Sequence, residues 1–190
     1  GGWVAVGGDH DLFEDCAGVG MARYGFIIGG PTSSSKYNIF RRCIGRIDYG
    51  DTIEPKATFA VYGNDQTNPR AVSDHLFQNC LVIDGRRGPD VDGTYGGFYF
   101  PKNVNNVTIQ GSIILNNEAL HGGYFISEMG GRNMRLEHSI AWDIYGPRTL
   151  PGLRANGGSN SDPTDYLIYD HMTVGRSRVA TMEGYYNRDN

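Results

Sequence analysis

A short pattern of alternating apolar and polar positions recurs six times along the chain. Each copy contains a bulky apolar residue, a polar pair, a small residue and a second apolar stretch. Alternation with a period of two is typical of β-strands, and its return at similar intervals indicates a repeat fold. The sequence therefore predicts an all-β protein built from six similar units. The copies span residues 12–17, 39–44, 76–81, 108–113, 135–140 and 167–172.

Two columns emerge when the six copies are aligned, and we expect both to point inward and to stack from one copy to the next. The bulky column contains Phe13, Phe40, Phe77, Ile109, Leu136 and Ile168. The small column contains Cys16, Cys43, Cys80, Ser112, Ser139 and His171. The unequal intervals between copies are expected if the strands are fixed and one loop per repeat varies in length.

Sharp bends are predicted at the polar positions between the two columns. Glycine, Asp and Asn tolerate the left-handed backbone that such bends require. The polar pair ends in Asp15, Arg42, Asn79, Gly111, His138 or Asp170. A second row of such residues lies three places before the bulky column and predicts a side-chain ladder at another turn: Asp74, Asn106, Asn133 and Asp165.

Segments such as FEDCAGV, FQNCLVIDG, VTIQGSIILNN and LEHSIAWD resemble the repeats of the pectin-lyase-like superfamily. The resemblance implies a right-handed parallel β-helix solenoid of about six coils. It covers nearly all of residues 1–190, which we interpret as a single domain of a larger protein, without evident end caps. An antiparallel sandwich or propeller is the alternative, although two-residue hairpin turns are sparse.

The superfamily includes lyases, glycoside hydrolases, phage tailspikes, adhesins and non-catalytic surface modules, so the resemblance implies a fold and does not select an activity. A net charge of −4 and a pI near 5.7 argue against a nucleic-acid partner. No apolar window is long enough to predict membrane insertion.

The three cysteines fall in the small column of successive copies. They form no C-x-x-C motif and their number is odd, so we interpret them as buried core thiols. Adjacent coils would bring neighbouring cysteines within disulfide reach. One bond, between Cys16 and Cys43 or between Cys43 and Cys80, is therefore the alternative.

Charged and aromatic residues gather in the segments that follow the repeated strands, where a groove is conceivable. In lyases of the superfamily that the chain resembles, carboxylates hold Ca²⁺ and Arg or Lys removes a proton, whereas paired carboxylates serve the hydrolases. No segment matches a family motif, so no role is carried over. The candidates are Arg86, Arg87, His121 and Asp143 for catalysis, Asp84, Asp90 and Asp92 for a metal, and Tyr49, Tyr95 and Tyr145 for stacking on sugars.

The predicted function is that of a non-catalytic β-helix module in a larger extracellular or cell-surface protein. It would serve as a rigid scaffold, with flanking domains of the same polypeptide and polysaccharide as partners, and without a cofactor. One alternative is a polysaccharide lyase or glycoside hydrolase working in the loop-side groove, with Ca²⁺ in the lyase case. The other alternative is a structural subunit that stacks end to end into fibres.

Overall fold

Twenty short β-strands make up the regular structure of the described part of the chain. The computed structural model describes residues 4–20, 24–29, 34–47, 57–63, 72–84, 96–100, 104–117, 124–126, 133–144, 153–156, 167–175 and 182–185. Within these ranges there is no helix, and every strand pairs with its neighbours in parallel. The all-β prediction is confirmed, and the antiparallel alternative is wrong for these strands.

The strands form three parallel sheets. Sheet 1 contains β1 (Val4–Val6), β4 (Tyr24–Gly29), β8 (Ala57–Tyr62), β11 (Gly96–Phe100), β14 (Tyr124–Ile126), β17 (Leu153–Asn156) and β20 (Met182–Tyr185). Sheet 2 contains β2 (Leu12–Glu14), β6 (Ile39–Arg41), β9 (Val72–Gln78), β12 (Asn105–Gln110), β15 (Met134–Glu137) and β18 (Leu167–Asp170), with β5 (Ser35–Lys36) paired to the start of β9. Sheet 3 contains β3 (Ala17–Val19), β7 (Ile44–Arg46), β10 (Leu81–Ile83), β13 (Ile113–Asn117), β16 (Ile140–Ile144) and β19 (Thr173–Gly175).

Apart from the short β5, the chain visits sheets 1, 2 and 3 in the same order each time. A strand therefore pairs with the equivalent strands of the preceding and following repeats, as β6 does with β2 and β9. Two residues separate the sheet 2 strand from the sheet 3 strand in all six repeats. The connections from sheet 3 to sheet 1 and from sheet 1 to sheet 2 both differ in length. The prediction of a single variable loop per repeat therefore missed the second of these connections.

The interior between the sheets contains two stacks of phenylalanine rings. Phe26 lies on Phe59 in sheet 1 with ring centroids 4.9 Å apart, and Phe40 lies on Phe77 in sheet 2 at 5.5 Å. The two stacks meet edge to face, with the centroids of Phe40 and Phe59 separated by 6.4 Å. All four rings are fully buried. The predicted inward bulky column is confirmed from Phe13 through Leu136, whose strands pair in register.

The sixth repeat is shifted by one residue from the predicted alignment. Sheet 2 pairs Leu136 with Tyr169 and Glu137 with Asp170. Tyr169 therefore continues the bulky column in place of Ile168, His171 replaces Asp170 at the bend, and Met172 replaces His171 in the small column. Tyr169 and Met172 pack against the core. A shift of one residue exchanges the two faces of a strand, so the predicted alignment of this repeat was wrong.

The backbone is left-handed at three columns of bends, with φ between 49° and 65°. Corner 1, before or near the start of the sheet 2 strands, contains His10, Tyr37, Asp74, Asn106 and Asn133. Corner 2, between sheets 2 and 3, contains Asp15, Arg42, Asn79, Gly111, His138 and His171. Corner 3, at or after the end of sheet 3, contains Asp84, Asn116 and Asp143. The predicted bends are confirmed for the described residues except Asp170, whose place at corner 2 is taken by His171, and Asp165 lies outside the described ranges.

Backbone hydrogen bonds hold these corners in place from repeat to repeat. The N–H of Asn79 donates to the carbonyl of Gln110 at 2.8 Å, and that of Gly111 donates to the carbonyl of Glu137 at 3.0 Å. Left-handed backbone is unfavourable for most side chains. The inter-repeat bonds offset that cost, and even Arg42 and Tyr37 adopt this conformation.

The small column lies in the interior beside corner 2. Cys43, Cys80, Ser112 and Ser139 are buried, and the three cysteines are free thiols, as the sequence predicted. Burial raises the pKa of the Cys16 thiol, and hydrogen bonding to Cys43 together with burial raises that of Cys80. The hydrogen bond with Cys80 instead lowers the pKa of Cys43 to about 7, so only Cys16 and Cys80 meet the conditions of inert packing groups. No helix long and apolar enough to cross a membrane occurs among the described residues.

Candidate functional site

A continuous column of polar side chains covers the outer face of sheet 2. It lies one position before corner 2, on the face opposite the bulky column, because successive residues of a strand point to opposite sides. Strand pairing keeps its members in register. We call this column the polar ladder: Glu14, Arg41, Gln78, Gln110, Glu137 and Asp170.

Ion pairs occupy the first repeats of the polar ladder. Arg41 Nε lies 2.5 Å from Glu14 Oε1, Arg42 Nη2 lies 2.7 Å from the same oxygen, and Arg42 Nε lies 2.7 Å from Asp15 Oδ1. The hydrogen bond from Arg41 lowers the pKa of Glu14, and the hydrogen bond from Arg42 lowers that of Asp15. Both carboxylates are therefore ionised and paired at neutral pH, in an exposed setting where salt screens the attraction.

Amide side chains continue the polar ladder through its middle. Gln78 Nε2 donates to Gln110 Oε1 at 3.0 Å, and Gln110 Nε2 lies 3.5 Å from Glu137 Oε2. Arg135, on the same strand as Glu137, places its Nε 2.6 Å from Glu137 Oε1. The charge of Glu137 is thus matched by arginine, as the charges of Glu14 and Asp15 are.

Two histidines and an aspartate meet at the sixth repeat, and we call His138, Asp170 and His171 the corner cluster. The imidazole rings stack with centroids 4.8 Å apart and planes 4° from parallel. His171 Nδ1 lies 2.6 Å from Asp170 Oδ1. One potential ligand atom from each of the three side chains lies within 4.8 Å of the others, and no other group of three or more such side chains occurs in the described ranges. This is the best candidate for a metal centre there.

The corner cluster was not predicted from the sequence, because it depends on the register of the sixth repeat. Aligning Ile168 with Leu136 placed His138 beside Asp170 and put His171 in the interior. In the structure both histidines occupy corner 2, one repeat apart. Aligning Tyr169, the larger neighbour, with the bulky column would have stacked them.

Two of the predicted site residues lie within the described ranges. Asp84 and Asp143 both belong to corner 3, where Asn116 occupies the repeat between them and donates from Nδ2 to Asp84 Oδ1 at 2.7 Å. They share a column without being neighbours. The remaining candidates lie outside the described residues and stay predictions, as does the loop-side groove itself: Arg86, Arg87, Asp90, Asp92, His121, Tyr49, Tyr95 and Tyr145.

The Asp9-His10-Asp11 segment contains three residues of types that can bind metals, but its side chains make turn contacts. Asp9 Oδ1 accepts the N–H of Lys36 at 2.7 Å, and the His10 ring stacks on Tyr37 with centroids 4.8 Å apart. Each of these contacts joins one repeat to the next. They support the interpretation of a turn that leads into a strand.

A buried histidine lies in the interior of sheet 2, away from the ladder. His75 is 2% exposed, and its Nδ1 accepts the N–H of Asn38 at 3.3 Å. Its Nε2 is buried without a hydrogen-bond partner in the described structure. Burial lowers the pKa of His75 to about 4. The ring is therefore neutral at physiological pH and acts as a packing group with one hydrogen bond.

Comparison of the chain with protein-family models, with curated proteins and with solved structures finds no match. The resemblance to the pectin-lyase-like superfamily accordingly stays a prediction. The features that bear on function are the repeat architecture, the polar ladder and the corner cluster.

Proposed function

We propose that the chain is a scaffold module built as a right-handed parallel β-helix of about six coils, within a larger extracellular or cell-surface protein. The observation that carries this proposal is the continuity of the bulky column from Phe13 to Tyr169. A coil of some 30 residues cannot bury its own apolar face, so stacked coils stabilise one another.

The residues at the repeated positions support a structural role for the chain. The bulky and small columns fill the interior, and the three corners carry the inter-repeat hydrogen bonds. Backbone pairing between repeats, about 4.8 Å apart in a parallel sheet, gives such a module its rigidity. A rigid rod presents surface groups at fixed intervals, which suits a scaffold.

The partner that we propose for this scaffold is polysaccharide, bound along the polar ladder. Gln78 and Gln110 offer amide donors and acceptors on a partly exposed face, with carboxylates and guanidinium groups on either side. Gly111 adds no side chain at the adjacent corner. Such groups can exchange hydrogen bonds with sugar hydroxyls, and their regular spacing suits a polymer with a repeated unit.

Deleting one repeat in register tests the architecture. Removal of residues 112–138 joins Gly111 to Ser139, which reproduces the two-residue corner found in every repeat. This variant should unfold cooperatively with an unchanged β-type circular dichroism spectrum. Removal of residues 112–139 is the matched control, because it leaves a one-residue corner and should abolish cooperative unfolding. An in-register deletion that unfolds the chain, or a control that is equally stable, would contradict the β-helix.

Retention on immobilised polysaccharides tests the ligand. The double variant Gln78→Ala/Gln110→Ala should elute earlier than the parent chain from at least one of a panel that includes neutral and uronate polymers. Asp84→Asn at corner 3 serves as a surface control and should elute with the parent. Release of unsaturated sugar or new reducing ends during the same incubation would instead support the lyase or hydrolase alternative.

A further inference from the structure

We propose that the corner cluster binds one divalent transition-metal ion, for which Zn²⁺ is the reference, through His138, Asp170 and His171. Two imidazoles and one carboxylate are a donor set that Zn²⁺, Cu²⁺ and Ni²⁺ accept readily. Ca²⁺ and Mg²⁺ prefer oxygen donors alone, so they are excluded as the intended ion. The site is separate from the amide part of the polar ladder to which we assign sugar contacts.

The backbone positions the two histidines for this task before any metal arrives. His138 and His171 occupy equivalent left-handed positions, with φ of 50° and 49°. The N–H of His138 donates to the carbonyl of Asp170 at 2.8 Å, which fixes the spacing of the two repeats. The two Cβ atoms consequently point the same way, and the rings start from the stacked arrangement with a 4.8 Å separation.

The distances are within reach of metal coordination. Zn–N bonds of about 2.0–2.1 Å at tetrahedral angles place two ligand atoms roughly 3.3 Å apart. The ligand atoms of the cluster already lie within 4.8 Å of one another, and His171 Nδ1 lies 2.6 Å from Asp170 Oδ1. Exposed side chains rotate freely on the nanosecond scale, so small χ1 and χ2 changes close the remaining gap.

Exposure and charge both favour a cation at this point of the surface. The side chains of His171 and Asp170 are 72% and 46% exposed, so an ion reaches them from solvent. Other carboxylates of this surface, those of Glu14, Asp15 and Glu137, are paired with arginine. In the described structure Asp170 contacts the imidazole of His171. Unlike arginine, this ring carries a positive charge only when it is protonated. A metal ion would supply the positive charge that arginine supplies elsewhere.

Calorimetric titration of the 190-residue chain with ZnCl₂ tests the proposal. One ion should bind per chain, and His138→Asn and His171→Asn should each weaken binding by at least the roughly 10- to 100-fold that loss of an outer-sphere partner costs. Asparagine suits the left-handed corner, so the backbone is preserved. His10→Asn, a stacked histidine in corner 1, is the matched control and should bind Zn²⁺ as the parent does.

Absence of Zn²⁺ binding, or equal affinity in the parent chain and in both corner 2 variants, would overturn the proposal. Electron paramagnetic resonance of the parent chain with one equivalent of Cu²⁺ gives a readout that needs no variant. Coupling to two imidazole nitrogens is expected, and a spectrum without nitrogen coupling would contradict the site even if a variant failed to fold.

Discussion

The first three repeats of sheets 2 and 3 and the two repeats that follow them share one backbone arrangement but differ in the side chains of their interior. The early repeats contain the stacked rings of Phe13, Phe40 and Phe77, and the later ones contain Ile109 and Leu136 at the same column. A neighbouring inward column changes too, from Asn38 and His75 to Val107 and Met134. Sheet 2 pairs His75 with Val107, and all four residues are buried.

The small column changes from thiols to hydroxyls at the same place, and the direction of its hydrogen bonds changes with it. In the early repeats Cys80 Sγ contacts the carbonyl of Phe40, in the preceding repeat, at 3.4 Å. In the later repeats the hydroxyl of Ser139 accepts the N–H of Ser112 at 3.0 Å. One geometry thus accommodates two interiors, an aromatic one that contains isolated polar groups and an aliphatic one bonded by hydroxyls.

Truncating a ring of the aromatic interior is expected to have the largest effect. Phe77 is fully buried and contacts the rings of Phe40, Phe59, Phe98 and Phe100. Phe77→Ala should therefore lower the free energy of unfolding by about 3–5 kcal/mol. Leu136→Ala, in the same column of the aliphatic part, should cost less. Urea denaturation followed by circular dichroism measures both, and an equal or larger loss in Leu136→Ala would remove the distinction between the two interiors.

Lowering the pH should have the second largest effect on stability, because His75 lies in the early interior and has no counterpart in the later one. Its pKa is lowered from 6.5 to about 4 in the folded chain, so the unfolded chain binds the proton more readily. The contribution of neutral, buried His75 to the free energy of unfolding is complete above pH 6.5. It is lost as the pH falls toward 4, by roughly 3 kcal/mol in total. The stability-versus-pH curve of His75→Gln should lack this component, so the parent and variant curves should diverge as the pH falls from 6.5 toward 4. His10→Gln, at an exposed corner, should retain it; a parent curve parallel to that of His75→Gln would contradict the assignment.

Removing a hydroxyl group from the small column should give the smallest of the three effects. Ser112 Oγ accepts the N–H of Cys80 at 3.1 Å and donates to the carbonyl of Gln110 at 3.3 Å. Ser112→Ala leaves that buried N–H without its acceptor, which costs about 1–3 kcal/mol. Ser112→Cys should be milder, since a thiol already fills the column at Cys80. The midpoint of thermal unfolding ranks the two variants, and a neutral Ser112→Ala would show that the hydroxyl bonds add nothing.

The parallel strands, the inward columns and the bends could be predicted from the sequence because five copies share an unambiguous pattern. The sixth could not, because Leu167, Ile168 and Tyr169 are all apolar and leave the inward position undetermined. Neither the pattern nor composition locates the corner cluster, since His138 and His171 become neighbours only when register is known to one residue. The catalytic and sugar-binding candidates stayed unresolved for a different reason: most lie in segments whose length and sequence differ between repeats.

The order of strand pairing has a kinetic consequence. Pairing in sheet 2 joins residues one repeat apart, from 27 residues for Leu12 and Ile39 to 37 for Phe40 and Phe77. Loop-closure entropy grows only with the logarithm of length, so the longest of these closures costs about 0.3 kcal/mol more than the shortest. Each repeat can therefore dock onto its predecessor at nearly the same rate, and lengthening a connection should slow folding very little. Folding would proceed as a zipper whose step time is set by the strands rather than by the loops.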